Sequence, residues 1–91
     1  MFKTLEELIA IIRQRKKSSV EESYTKKLLN NKNLSIKKVK EEIEELIDAI
    51  EKNSNKVHEA ADVLYHLMVL LEANDIKIED VMNELKKRQK K

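Results

Sequence analysis

Not one of the 91 residues is a glycine or a proline, and this absence constrains the fold more than any other feature. A type II turn, a phosphate-cradling glycine loop and a flexible linker all draw on those residues. What remains is the all-α class, a compact bundle of about five helices in one domain spanning residues 1–91. Helix ends then need another residue able to enter the left-handed region, and asparagine is the best suited. Asn30, Asn31 and Asn33, then Asn53 and Asn55, then Asn74 fall at the expected breaks.

Thr4 followed by Glu7 reads as a capping box, with Leu5, Leu8, Ile9 and Ile12 as the apolar face of a first helix ending near Lys17. Ser19 followed by Glu22 repeats the signal for a second helix carrying Val20, Tyr24 and Leu28. Ser35 is the expected cap of a third helix over about Ile36 to Lys52, and a fourth runs over about Lys56 to Ala73. Ile78, Val81, Met82 and Leu85 give a fifth that covers one end of the bundle.

On a 100° wheel Ile36, Val39, Ile43, Leu46, Ile47 and Ile50 form the core stripe of the third helix. Lys38, Glu42, Glu45 and Ala49 form a second row along its margin. In the fourth helix Val57, Ala60, Ala61, Leu64, Leu67, Met68 and Leu71 form the apolar stripe, with Glu59, Asp62 and His66 beside it. Between Leu64 and Leu71 that helix is apolar nearly all round, with Val69 and Leu70 on its outer side. A chain this short has little interior in which to hide such a surface, which points to an isologous homodimer.

Glu42 with Glu45, and Glu59 with Asp62, are each three residues apart and so about one helical turn apart on a shared face. Antiparallel packing of the two helices would gather all four. Carboxylates so gathered repel unless a cation lies between them, and hard oxygen ligands suit Mg²⁺, or Mn²⁺ in its place. The alternative is a solvated face, the usual meaning of a lone ExxE in a chain with 40% charged residues. The marginal placement of both rows, where packing shields them from water, favours the cation.

Nineteen Lys and Arg against seventeen Asp and Glu leave a net charge of +2, so no nucleic-acid partner is demanded. The basic residues cluster at Arg13, Arg15, Lys16 and Lys17 and again from Lys86 to Lys91. Both clusters suit helix C-termini, although the earlier one would also suit a polyphosphate. Without cysteine, disulfides, thiolate metal sites and thiol nucleophiles are excluded. The apolar run from Leu67 to Leu71 is too short to span a bilayer, and the start of the chain has no signal-peptide core. A cytoplasmic protein with no membrane partner is expected.

The EExxE run at Glu41–Glu45 followed by ExxD at Glu59–Asp62 resembles the all-α, MazG-like nucleoside triphosphate pyrophosphohydrolases. Glu22-Ser23-Tyr24-Thr25-Lys26-Lys27-Leu28-Leu29 and the run His58 to Leu67 are similar to signatures of the phosphoribosyl-ATP pyrophosphohydrolase family, and the likeness extends through Asp80–Arg88. The resemblance implies Mg²⁺ held by Glu42, Glu45, Glu59 and Asp62, a homodimer with substrate between subunits, and hydrolysis of phosphoribosyl-ATP to phosphoribosyl-AMP and pyrophosphate in histidine biosynthesis. One departure is Lys40, where the family commonly has a small residue; at the centre of the wheel's apolar stripe, it suggests a bend or a local shift in packing.

With no covalent nucleophile set in view, metal-activated water attacking the α-phosphorus is the expected route. Glu41 has three open roles: activating water, orienting a ligand, or facing solvent. Lys27 and Lys38 are the candidate phosphate contacts. His66 is a candidate for binding phosphate or orienting a carboxylate, with a satisfied interface histidine as the alternative. Tyr24 reads as core rather than as a base-stacking platform, and His58 and Tyr65 as packing or interface residues. Two rival functions remain, a house-cleaning hydrolase of other nucleotides on the same site and a non-enzymatic helical binding module.

Overall fold

The structure is a computed structural model describing residues 2–17 and 23–89. Five helices follow in order: α1 (Lys3–Lys17), α2 (Tyr24–Leu29), α3 (Lys32–Lys52), α4 (Lys56–Ala73) and α5 (Ile78–Arg88). No strand occurs among the described residues, so the all-α expectation holds. No described helix is long and apolar enough to cross a membrane.

The core lies between α1, α2 and α4. Ile9 and Ile12 pack with Leu28 and Leu29 against Met68, Val69 and Ala73, and Ile12, Leu28 and Val69 are fully buried. Each such aliphatic side chain contributes about 1.5–3 kcal/mol on leaving water. Val69 therefore belongs to the centre of the molecule and not to the outer side of α4, where the wheel placed it. The side of α4 that is left open carries Val57, Ala61 and Leu64 instead.

Asparagine does supply the left-handed residue between α3 and α4. Asn53 has φ 54°; its N–H donates to Ile50 O at 3.2 Å, and the Ser54 N–H donates to Ala49 O at 2.9 Å. This is a Schellman pair that satisfies the free carbonyls of α3. Asn55, also left-handed with φ 58°, leads into α4. The helices are thereby folded back on one another, and they form the most extensive helix pair of the chain. At the end of α4 the same motif recurs one residue later than expected. Asp75 takes φ 58° while the Ile76 N–H reaches Leu71 O at 2.9 Å. Asn74 stays at φ −106° and uses its side-chain amide to cap Leu70 O at 2.8 Å.

Three expected starts move. α1 already includes Thr4, its first turn closed by a bond from the Glu6 N–H to Phe2 O at 3.2 Å. The expected cap at Ser19 with Glu22, and Val20, lie outside the described residues; Ser23 caps α2, accepting from the Lys26 N–H at 3.3 Å. Asn31 caps α3, accepting from the Leu34 N–H at 3.1 Å, so Asn33 and Ser35 fall inside the helix and Ser35 is buried. Asn31 wins because asparagine and serine cap about equally well, and the earlier cap adds a further turn of helix.

The largest correction concerns which face of α3 turns inward. Ser35, Val39, Glu42, Leu46 and Ala49, spaced four, three, four and three apart, make the sheltered row. The large residues of the expected core stripe, Ile36, Ile43, Ile47 and Ile50, are exposed, Ile47 by 50%. α3 runs unbroken through Lys40, which is exposed on that same side.

At the opposite end, Arg13 ties α1 to the α4–α5 junction. Its Nε donates to Glu72 at 3.1 Å, and its two terminal nitrogens fork onto Glu79 at 2.9 and 2.7 Å. Lys16 donates to Glu72 O at 2.6 Å and to Asp75 at 2.7 Å. The part of the early basic cluster that might have met a polyphosphate is thus engaged within the chain.

Candidate active site

Glu42 occupies the sheltered row of α3, between Val39 and Leu46, and so enters the seam with α4 directly. Its Oε2 is buried without a hydrogen-bond partner, and so is Oε2 of Glu59 across the seam. Buried carboxylate oxygens are normally satisfied, because leaving one unmade costs about 1–3 kcal/mol or more. Burial, then the adjacent Glu45 carboxylate, push the Glu42 carboxyl above the usual carboxylate range. Both features are those of anions waiting for a positive partner.

The four expected ligands come together as two overlapping triplets rather than one quartet. Glu42, Glu45 and Glu59 offer oxygens all within 4.8 Å of one another, and His58, Glu59 and Asp62 form a second group within the same limit. Glu59 belongs to both. Donors on opposite sides of one ion are about 4.2 Å apart, two bonds of roughly 2.1 Å, so small side-chain adjustments separate these groups from coordination. The residues present fit a divalent cation.

Around the carboxylates stand the other candidate residues. Lys38 donates to Glu41 at 3.3 Å, one turn before Glu42, and this bond holds the lysine pKa above its ordinary value. Glu41 is thus a lysine partner beside the seam. His66 is 7% exposed. Its Nδ1 lies 2.9 Å from Asp62 O and its Nε2 lies 3.1 Å from the Tyr24 hydroxyl, so both ring nitrogens are engaged within the chain. The Tyr65 hydroxyl pairs with Thr25 Oγ1, and the Tyr24 and Tyr65 rings stack with centroids 6.4 Å apart. These contacts pin α2 over α4 beside the carboxylates, and Tyr24, expected in the core, is 47% exposed. Lys27 is exposed on α2 and is not among the residues gathered there.

His58 was read from the sequence as a packing or interface residue, yet it belongs to the second triplet, its Nε2 lying 3.4 Å from Asp62 Oδ2. The signal that would have found it is its i,i+4 spacing to Asp62, which places both on one helical face. A separate cavity of about 1150 Å³ opens between α1 and α5, lined among others by Phe2, Leu5, Ile9, Ile78 and Met82. It is mostly apolar, its Arg13 and Glu79 are paired with each other, and none of the clustered carboxylates reaches it.

A small all-α bundle whose α3–α4 pair gathers carboxylates, two of them with a buried oxygen lacking a partner, presents an acidic centre that fits a divalent cation. Residues 5–89 match the phosphoribosyl-ATP pyrophosphohydrolase family, and the chain belongs to that family. It is 49% identical over 87 residues to the histidine biosynthesis bifunctional protein HisIE of Pyrococcus furiosus, covering 94% of this chain and 41% of that longer protein. It is 46% identical over 88 residues to the phosphoribosyl-ATP pyrophosphatase of Allorhizobium ampelinum, covering 93% of this chain and 85% of the relative. Against the phosphoribosyl-ATP pyrophosphatase of Clostridium novyi the identity is 44% over 91 residues, with 96% and 82% covered.

Proposed function

We propose that this chain hydrolyses phosphoribosyl-ATP to phosphoribosyl-AMP and pyrophosphate, the pyrophosphohydrolase step of histidine biosynthesis, as a single cytoplasmic domain. Family membership over nearly the whole chain supports the substrate. The observation that carries the chemistry is the pair of partnerless buried oxygens, on Glu42 and Glu59, facing one seam. Glu42, Glu45, Glu59 and Asp62 are the residues that would hold Mg²⁺, or Mn²⁺ in its place. A divalent ion bound there supplies Lewis-acid polarisation at phosphorus, a more acidic water, and charge neutralisation for the departing pyrophosphate.

The chain's own residues do the rest. Lys38, kept charged and steered by Glu41, offers its ammonium to the leaving phosphates, and Lys27 on its flexible stem offers a second. His66 acts by position: bonded at one nitrogen to the Asp62 backbone and at the other to Tyr24, it fixes the turn of α4 that carries Asp62. The exposed face built from Ile36, Ile43, Ile47 and Ile50 of α3 with Val57 and Leu64 of α4 is large and apolar for a solvated surface. A second copy covers it, making an isologous homodimer.

A substrate panel tests the reading. Phosphoribosyl-ATP is expected to be turned over far faster than ATP, dATP or oxidised nucleotides, and hydrolysis in ¹⁸O-water should place the label in phosphoribosyl-AMP. Faster turnover of the other nucleotides would make the protein a general nucleotide hydrolase on the same site, and label in pyrophosphate would move the attack to the β-phosphorus.

A further inference from the structure

Tyr24 is held from three sides, yet nearly half of it faces solvent. Its hydroxyl meets Nε2 of His66 at 3.1 Å, the Tyr65 ring lies along one face at 6.4 Å and 17°, and the His66 ring meets it edge-on at 5.9 Å and 76°. Its backbone is fixed as the first residue of α2, directly after the cap at Ser23. With Tyr65 on one face and His66 at the hydroxyl end, the 47% of the residue that stays accessible is left to the other face of the ring. Immobilising an exposed ring adds little to the core, but a ring already fixed takes a flat ligand with no further loss of side-chain freedom.

That open face adjoins the carboxylates. Burial pushes the Tyr24 hydroxyl above its ordinary value, and Lys38, Glu42 and Glu41 are near enough for their charges to act on it. One imidazole separates the hydroxyl from the turn of α4 that carries Asp62, and one ribose separates the base of a nucleotide from its α-phosphorus. A base over Tyr24 therefore leaves its phosphates at the carboxylates. Few other rings could serve, because the chain has no tryptophan, two tyrosines and one phenylalanine. Phe2 lines the α1–α5 cavity, away from the carboxylates. Tyr65 is half-buried against the core, its hydroxyl paired with Thr25.

We propose that the open face of Tyr24 is the stacking platform for the purine of the nucleotide substrate, and that it sets how tightly the base is held while the carboxylates and lysines engage the phosphates. The inference rests on the nucleotide reading of the site given above and adds to it the residue that receives the base. Purines stack well on such a face, in an offset arrangement that needs no hydrogen bond.

Two measurements test this. The probe for the first is AMP, added with Mg²⁺ to the full wild-type chain and followed by proton NMR, with the Tyr24 signals assigned by their loss in Tyr24→Phe. The ring current of a stacked purine should move the Tyr24 ring protons upfield, and ribose 5-phosphate, which has no base, should not. The second is kinetic. Tyr24→Phe and Tyr24→Leu both lose the bond to His66, but only leucine removes the ring. With phosphoribosyl-ATP, KM should be at least about tenfold higher in Tyr24→Leu than in Tyr24→Phe, a usual loss when a stacked aromatic is removed, while kcat stays similar in the two. No upfield shift at millimolar AMP, or an equal KM in the two variants, would overturn the proposal and leave the carboxylate site standing. A wild-type chain that shows the shift but does not hydrolyse phosphoribosyl-ATP would uphold the platform and overturn the substrate instead.

Discussion

The Tyr24 hydroxyl donates to Nε2 of His66 at 3.1 Å, and the direction of that bond follows from the other side of the ring. Nδ1 faces the Asp62 carbonyl at 2.9 Å. A carbonyl can only accept, so in the neutral ring Nδ1 carries the proton and Nε2 receives one from tyrosine. Tyr24→Phe keeps the ring that stacks on Tyr65 but leaves Nε2 of a buried histidine unpaired. The expected loss is about 1–2 kcal/mol, a fall in melting temperature of about 4–8 °C per kcal/mol for a domain of this size. An unchanged melting temperature would mean that this bond adds nothing in solution.

Acid should weaken the α1 to α5 tie. Arg13 holds the Glu79 carboxyl at about 2, against an ordinary value of 4.5. The unfolded chain therefore takes up this proton first, so the pair's contribution is complete above about pH 4.5 and is lost as pH falls toward 2. Glu79 is exposed, so the effect is small. Glu79→Gln should be less stable than wild type at pH 7 and indistinguishable from it near pH 2, as read from urea midpoints. A difference that persists at the lower pH would remove the ion pair as its cause.

Glu42 should show the opposite sign. Burial, and then Glu45, raise its folded pKa, so without metal the folded state holds this proton more tightly than the unfolded one. Its contribution favours folding at low pH and is lost as pH rises through the raised value. Glu42→Gln should accordingly raise the melting temperature of the chelated protein at pH 7, with the gain shrinking as pH falls through the raised value and gone below pH 4.5, the ordinary value. In saturating Mg²⁺ the order should reverse, because the variant gains less from the ion. A variant less stable than wild type at pH 7 in chelator would show that Glu42 carries no unrelieved charge.

The exposed apolar face shared by α3 and α4 and the buried side of α4 are predicted to respond differently. Leu64→Glu or Ile47→Glu places charge on the exposed face and should yield a folded monomer by light scattering, with helix content retained and activity reduced. Val69→Glu places it in the core beside Ile12 and Leu28, where an unpaired carboxylate costs several kcal/mol, on the order of the whole stability of a small domain. That variant should not fold. A wild-type chain that is monomeric at micromolar concentration would contradict the homodimer.

The contrast between Val69 and Ile47 shows where the sequence was legible and where it was not. Periodicity marks which residues share a face, and it located the helices and both carboxylate rows. It does not say which neighbour covers a face, so the isoleucine row of α3 passed for core while Ser35 and Ala49, with Val39 from the expected stripe, took the inward place. Caps moved for a related reason: Asn31 and Ser35 are nearly equal as caps, and only the chain's route decides between them. Asp75 replaced Asn74 at the left-handed position because both residue types tolerate it. His58 was missed because its spacing was read against the core and not against Asp62.

The clustered carboxylates of the α3–α4 seam should make the hydrolysis depend on a divalent cation. Pyrophosphate release from phosphoribosyl-ATP by the chelated protein, with and without added Mg²⁺, measures this for wild type, Glu45→Gln and Asp62→Asn. The wild type should release pyrophosphate only when the ion is present. The two variants should be slower by about 10² to 10³, the rate equivalent of roughly 3–4 kcal/mol of lost transition-state stabilisation. Near-normal turnover by either variant, or full turnover by the wild type in chelator, would mean that these carboxylates hold no catalytic cation.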